Sequence, residues 1–305
     1  MTEWTTAGGS SRRRKRSETS GKLAHSEQAR RCACGSFHTL HAALLNTPAL
    51  LNTPAGAGAG VPCSTPPCAP AAAEVQRCED AVLAARADII SSAFFARLRS
   101  QLVETKVPGG VGASEPPLPL LAATRRLVVL GLGSLQQPGG VHIRYQAALA
   151  QLLQALLPRL DSPPEAFDPV FARLDAAVLP ALGFSVVESD AAWQRTAPHP
   201  TLFFMPHCEV ELTEALLEAN AVAGTLHNVA ILGNSMRQYC ERWGLPRRGD
   251  AGRQRPDTML RLCSAGVVIE AAVPECAFPV TSAFNDMGLH TFAGDWAQRW
   301  RGEKS

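Results

Sequence analysis

Four short apolar runs in this chain each break off in a cluster of small and polar residues. Leu127-Val128-Val129-Leu130 runs into Gly131-Leu132-Gly133-Ser134, and Ala166-Phe167 into Asp168-Pro169. Leu202-Phe203-Phe204-Met205 runs into Pro206-His207-Cys208-Glu209, and Val229-Ala230-Ile231-Leu232 into Gly233-Asn234-Ser235. A strand covered on both faces reads as a continuous apolar run, and such strands belong to parallel sheets under helices. In open sheets of this kind ligands sit beyond the carboxyl ends of the strands. The pattern therefore constrains the fold and marks where chemistry belongs, without fixing a reaction.

The segments between the runs have helical periodicity. Residues 74–104 place Val75, Cys78, Val82, Ile89, Phe94, Leu98 and Leu102 at steps near three, four or seven, which predicts one apolar helix face with a break. Residues 107–119 are rich in Gly and Pro and read as a connector. Helices are expected over 141–157, over 171–182 with a stop at Gly183, over 209–220, and through Tyr239 and Trp243. Further strands are expected at 184–187 and, as the last one, at 267–269. Residues 247–255 read as a polar loop, and 284–292 close the fold. Strands alternating with helices give an α/β class, a Rossmann-like three-layer sandwich with a mainly parallel sheet and right-handed crossovers. The expected division is a disordered basic tail over 1–73, an N-terminal helical segment over 74–106, the α/β domain over 120–296 and a short tail over 297–305.

Charge separates the tail from the rest. Residues 1–73 hold eight Lys/Arg against three Asp/Glu, and the remainder holds 21 against 24, so the folded part has no compositional case for binding nucleic acid. The tail carries the basic run Arg12-Arg13-Arg14-Lys15-Arg16, a tandem Ala-Leu-Leu-Asn-Thr-Pro repeat ending at Pro48 and Pro54, and an Ala/Gly/Pro/Cys stretch. Such composition buries too little apolar surface to offset backbone ordering. The basic run fits a nuclear-import signal or a solvated charge run, with an organelle transit peptide as a lesser alternative. Cys32, Cys34, His38 and His41 match no usual zinc-finger spacing. The nine cysteines are scattered and no secretory signal precedes them, which implies free thiols, a reducing compartment and a cytoplasmic or nuclear location. No apolar run approaches the eighteen or so residues that would span a bilayer, so no membrane partner is expected.

The strand ends supply the candidate site. Gly131 and Gly133, with Ser134 after them, make half of a nucleotide-binding fingerprint, in which glycines let backbone N–H groups approach a phosphate. Leu135 and Gln136 stand where the third glycine belongs, so a ligand-free tight turn fits equally. Asp168 ends the second strand, where dinucleotide sites place an acid on the ribose, and Asp-Pro also opens ordinary turns. Cys208 at a helix start is either an activated thiol or a small buried hydrophobe. His207 beside it either faces the expected crevice at the strand end or caps and packs there. Asn234 and Ser235 cap the next helix or donate to a ligand. Asp286 and His290, four apart, would share a helix face as a carboxylate–histidine pair or as a surface ion pair.

Taken in order, these motifs resemble the sensitivity-to-red-light-reduced (SRR-like) protein family. The resemblance runs through Val129-Leu130-Gly131-Leu132-Gly133-Ser134, Arg144 with Gln146, Phe167-Asp168-Pro169-Val170-Phe171, Leu182-Gly183, and Leu202-Phe203-Phe204-Met205-Pro206-His207-Cys208. It continues through Leu216-Leu217, Asn220, Val229-Ala230-Ile231-Leu232-Gly233-Asn234-Ser235 and Phe284-Asn285-Asp286 with His290 and Phe292. It covers about residues 74–296, adds Arg144 to the candidate set, and departs at Ala221-Val222-Ala223 and in the 247–255 loop. Membership implies regulation through protein partners: light signalling and the circadian clock in plants, haem biosynthesis and clock-gene expression in animals, and microtubule-related phenotypes in fungi. It carries over no catalytic residues. Three classes of function therefore stand at this stage. One is a regulator with a ligand or partner at the strand ends. The second is an S-adenosylmethionine-dependent methyltransferase-like enzyme, and the third an interaction module with an empty crevice. S-adenosylmethionine or a nucleotide is the leading cofactor candidate. Haem fits less well, because no cysteine here is followed by proline.

Overall fold

A computed structural model describes residues 69–109, 116–187, 195–243, 255–274 and 278–302. The basic run, the tandem repeat and the tail cysteines and histidines lie outside the described residues, as does most of the 247–255 loop. Two helices open the described part, α1 (Ala72–Ser91) and α2 (Ala93–Glu104). The expected break falls at Ser92, whose Oγ accepts the Phe95 N–H at 3.2 Å and restarts the helix as an N-cap. The connector contains a small antiparallel ladder of β1 (Lys106–Val107) with β2 (Leu118–Pro119), followed by α3 (Leu120–Ala123).

Strands and helices then alternate: β3 (Arg126–Leu130), α4 (Val141–Leu156), β4 (Glu165–Phe167), α5 (Arg173–Ala181), β5 (Ser185–Val186), β6 (Thr201–Met205) and α6 (Val210–Ala223). After these come β7 (Val229–Asn234), α7 (Met236–Trp243), α8 (Asp257–Ser264), β8 (Val268–Ala272), α9 (Thr281–Phe284), β9 (Met287–Phe292) and α10 (Trp296–Gly302). A seven-stranded sheet has the order β5-β4-β3-β6-β7-β9-β8. The strands from β5 to β7 are parallel, whereas β9 runs antiparallel to both β7 and β8. The sheet is thus mainly parallel but mixed.

Two elements differ from the sequence expectation. The segment at 267–269 is not the last strand, because β9 follows it and lies between β7 and β8. Every residue of β9 is buried, yet Gly288, His290 and Thr291 interrupt its apolar run and hide the strand in the sequence. Chain expected as tail after 296 continues as α10 to Gly302.

The continuous apolar runs follow from burial on both faces. Side chains alternate across a strand. Leu127, Val129, Leu202, Phe204, Ala230 and Leu232 join one core with α1, α4 and α5. Val128, Leu130, Phe203, Met205, Val229 and Ile231 join a second core with α6, α7, α8 and α10. Each Leu or Phe buried there contributes about 1.5–3 kcal/mol. The two N-terminal helices pack into the first core. Tyr145 Oη donates to Asp88 Oδ2 at 2.9 Å between α4 and α1, and Phe94 stacks on Phe284 with ring centroids 4.5 Å apart.

Candidate functional site

The strand order changes direction between β3 and β6, so the crevice of an open α/β sheet is expected beyond Leu130 and Met205. Cys208 fills that place. It is 5% exposed, and its thiol donates to the Leu130 carbonyl at 3.3 Å. A Cβ on Gly131 would stand 2.2 Å from the Cys208 sulfur, and Gly131 has φ +69°. The close approach and the left-handed backbone both demand glycine. Burial pushes the Cys208 thiol pKa far up, and the Asp168 and Glu209 carboxylates add to the effect. Cys208 is therefore a protonated packing residue, not a thiol activated by a helix start.

The glycine turn is closed in a similar way. Gly133 N–H donates to Asp168 Oδ2 at 2.8 Å, and Val170 N–H to Asp168 Oδ1 at 2.9 Å. Asp175, at 0% exposure, accepts from Ser134 Oγ at 2.6 Å, Leu135 N–H at 2.7 Å and Ala172 N–H at 2.7 Å. The donors and the acid that a nucleotide would need are bonded to one another. Sequence reasoning missed Asp175. Its signal was an acid in the first turn of the helix after Asp168-Pro169.

One strand over, at the ends of β6 and β7 and the start of β9, lies a polar pocket of about 90 Å³. His207, Asn234, Gln238, Tyr239, Arg242 and Asp286 line it, together with Ser235. His207 (φ +52°) and Asp286 (φ +58°) are the non-glycine residues with left-handed backbone among those described. That conformation costs a side chain-bearing residue about 1–2 kcal/mol. Asn234 Nδ2 donates to the Cys208 carbonyl at 2.8 Å and to Tyr239 Oη at 3.0 Å, which fixes the amide's orientation. Its Oδ1 is then buried without a hydrogen-bond partner. Desolvation lowers the His207 pKa against the opposing pull of the Ala283 carbonyl, and desolvation raises that of Tyr239. The hydrogen bond from Gln238 Nε2, at 3.0 Å, leads in holding the Asp286 carboxyl below its usual range. The pocket wall thus offers an anion at Asp286, a neutral imidazole and phenol, and a guanidinium at Arg242, and its Asn234 carries a buried, unused amide oxygen.

Ser235 caps α7 by accepting the Gln238 N–H at 3.2 Å, and its own hydroxyl donates to Glu270 Oε1 at 2.6 Å. Arg237 N–H donates to Glu270 Oε2 at 2.8 Å. Burial alone would raise the Glu270 pKa, but the adjoining His290 and the bonds from Ser235 and Arg237 outweigh it and bring it to about 2. His290 is wholly buried. Its Nδ1 lies 3.1 Å from the Ile231 carbonyl, an acceptor only, so that nitrogen carries the proton. Its Nε2 accepts the Met236 N–H at 3.3 Å and stands 3.4 Å from Glu270 Oε2. A Cβ on Gly288 would approach Nε2 to 2.9 Å, so the glycine makes room for this pair.

The expected pairing of Asp286 with His290 is corrected here. Asp286 lies in a turn, His290 lies inside β9, and the carboxylate beside His290 is Glu270. Because the carboxylate stands between Ser235 and His290, the serine proton faces a weakly basic carboxylate and not the imidazole, which is not the order of a nucleophilic triad. Of the sequence candidates, His207, Asn234, Ser235 and Asp286 come together at the pocket. Gly131, Gly133, Ser134, Asp168 and Cys208 lie in the closed turn, and His290 is buried within the sheet. Arg144 is exposed on α4, close enough to Cys78 of α1 to affect its thiol. Gln238, Tyr239 and Arg242 were missed although they follow directly from the Ser235 cap, being one and two turns into α7.

These features define an α/β protein with a plugged switch point and a small polar pocket beside it. A family model described as the SRR1 domain matches residues 118–291, and the chain belongs to that family. "Protein SENSITIVITY TO RED LIGHT REDUCED 1" of Arabidopsis thaliana is 30% identical over 206 residues, 67% of this chain and 70% of that protein. "SRR1-like protein" of Mus musculus is 34% identical over 131 residues, 43% of this chain and 52% of that protein. "SRR1-like protein" of Drosophila melanogaster is 30% identical over 174 residues, 55% of each. No solved structure matches.

Proposed function

We propose that this chain is a regulatory protein of the SRR1 family that binds a small polar ligand in the pocket beside β7. One observation carries the reading: the two strained non-glycine residues, His207 and Asp286, border the same pocket. Backbone strain of this kind concentrates at functional sites. The unused Asn234 oxygen asks for an N–H donor and Arg242 for an acceptor, so the ligand carries both. The pocket's volume, about 90 Å³, is far below the ~300–1,000 Å³ of ordinary cofactor sites. The plant relative's name refers to a light response, not a reaction, which fits regulation. The proposal extends to protein partners, to a cytoplasmic or nuclear place of action, and to pathways such as the clock or haem biosynthesis.

The second reading is an S-adenosylmethionine-dependent methyltransferase. Its support is the sheet, in which five parallel strands in doubly wound order are followed by a reversed strand next to the edge. Likeness of fold carries no activity, and Asp168 and the glycine turn are bonded to each other. A thermal-shift series on the full chain separates the two. It uses S-adenosylmethionine, ATP, NAD and haem on one side, and amino acids and small amides on the other. A ligand at a hundredfold its dissociation constant adds about 2.7 kcal/mol, roughly 5–10 °C here. The pocket reading expects shifts from small amphoteric compounds that vanish in Asn234→Ala. A shift from S-adenosylmethionine that vanishes in Asp168→Ala would overturn it in favour of the enzyme. No shift from any compound would leave the interaction module.

A further inference from the structure

Two cysteines that the pocket does not use stand against each other. Cys240 lies one turn beyond the fully buried Met236 on α7, and Cys263 one turn beyond the fully buried Met259 on α8. Residues four apart share a helix face, so both thiols look into the seam where α7 packs on α8. There the two thiols stand close enough to shift each other's pKa. Both are free thiols and neither is fully buried, whereas Cys208 is sealed under Gly131.

We propose that Cys240 and Cys263 form a reversible dithiol–disulfide pair, oxidised by a low-molecular-weight disulfide such as glutathione disulfide, that staples α7 to α8. Contact with Cys263 lowers the Cys240 pKa against burial and the Glu270 and Glu241 charges. Contact with Cys240, with burial, raises the Cys263 pKa. The Cys240 thiolate attacks one sulfur of glutathione disulfide. A mixed disulfide forms and one glutathione leaves as a thiolate that takes up a proton. Cys263 then gives up its proton and attacks the Cys240 sulfur, displacing the second glutathione. The protein loses two electrons and two protons, and one glutathione disulfide becomes two glutathione thiols. The new bond closes a loop over residues 241–262. Tyr239 and Arg242 flank Cys240 on α7, so oxidation also fixes one wall of the pocket. That last consequence rests on the pocket reading; the pairing does not.

The test uses the full chain equilibrated in increasingly oxidising glutathione buffers, trapped in acid and digested after glutamate. Cuts after Glu241, Glu270 and Glu275 put Cys240, Cys263 and Cys276 on separate peptides. The expected product links the Cys240 and Cys263 peptides, is absent from Cys240→Ser and Cys263→Ser, and persists in Cys276→Ser. Oxidation should raise the melting temperature by roughly 5–10 °C in the wild type and in Cys276→Ser only, as expected for closing a loop of about twenty residues. Glutathione left on Cys240 beside a free Cys263, or Cys240 linked to another cysteine, would overturn the pairing. A protein that pairs these cysteines yet gives equal thermal shifts with the pocket probes in both redox states would overturn only the coupling to the pocket.

Discussion

Two neighbouring strand ends in this molecule carry similar residues and use them in opposite ways. Beyond β3, β4 and β6, the groups that a cofactor would take are bonded to the chain itself: Gly133 to Asp168, Ser134 and Leu135 to Asp175, Cys208 to Leu130. Where the ends of β6 and β7 meet the start of β9, two residues hold strained backbone and an asparagine oxygen goes unpaired. A glycine turn and an acid at neighbouring strand ends can therefore be spent on the fold itself. What distinguishes a site from a scaffold is polar capacity left over after the fold has satisfied itself.

The sharpest way to break the comparison is at Asp175. Asp175→Ala leaves Ser134 Oγ and two backbone N–H groups without an acceptor in the buried turn. The expected loss is about 3–5 kcal/mol, read by denaturant unfolding of the full chain. Asn234→Ala, on the pocket side, should cost about 1 kcal/mol. Equal costs would mean that the two strand ends are not different in kind.

Gly131 tests the plug itself. Gly131→Ala drives a Cβ into the Cys208 sulfur and adds left-handed strain, for an expected loss of about 3 kcal/mol. In the Gly131→Ala/Cys208→Gly double variant the collision is gone and only about 1–2 kcal/mol of strain should remain, so the two changes are strongly non-additive. Additive costs would show that Cys208 does not hold this position.

The sequence carried the parallel half of the fold because its signal is local. A strand buried on both faces has nowhere to put a polar residue, so β3, β6 and β7 stand out unaided. β9 is as buried as they are, but its Gly288 and His290 answer to Glu270 on the neighbouring strand, and that reason is visible only once the sheet is assembled. The site follows the same logic. His207, Asn234 and Asp286 were found because strand ends and turns announce themselves. No local pattern says that Asp168 is spent on Gly133, thirty-five residues away. Nor does any pattern say that Cys208 faces Gly131 across the switch point.

Glu270 gives an intermediate effect with a pH signature. Its carboxylate accepts Ser235 Oγ and Arg237 N–H and lies beside His290, so Glu270→Gln should cost about 2 kcal/mol at pH 7. The folded pKa, about 2, lies below the ordinary glutamate value. Its contribution is therefore fully present above about pH 4.5 and is lost as the pH falls towards 2. Unfolding midpoints measured from pH 6 to pH 3 should fall less steeply in Glu270→Gln than in the wild type. Parallel curves would show that the carboxylate gains nothing from its ring of donors.

The smallest effect is the most telling for the pocket, because its sign is reversed. His207 holds φ +52° at a position where glycine would be unstrained, and its imidazole is partly desolvated. Its folded pKa is lowered, so stability is present above the ordinary histidine range near 6.5 and is lost as the pH falls below it. His207→Gly should therefore raise stability by about 1 kcal/mol at pH 7.5, and by more at pH 5.5, while removing the thermal shifts that pocket ligands give. His207→Ala keeps the strain and should not stabilise. A chain that gains stability by losing a side chain is keeping that side chain for something other than the fold. If His207→Gly destabilises the protein, the histidine is structural and the strained rim no longer argues for a ligand.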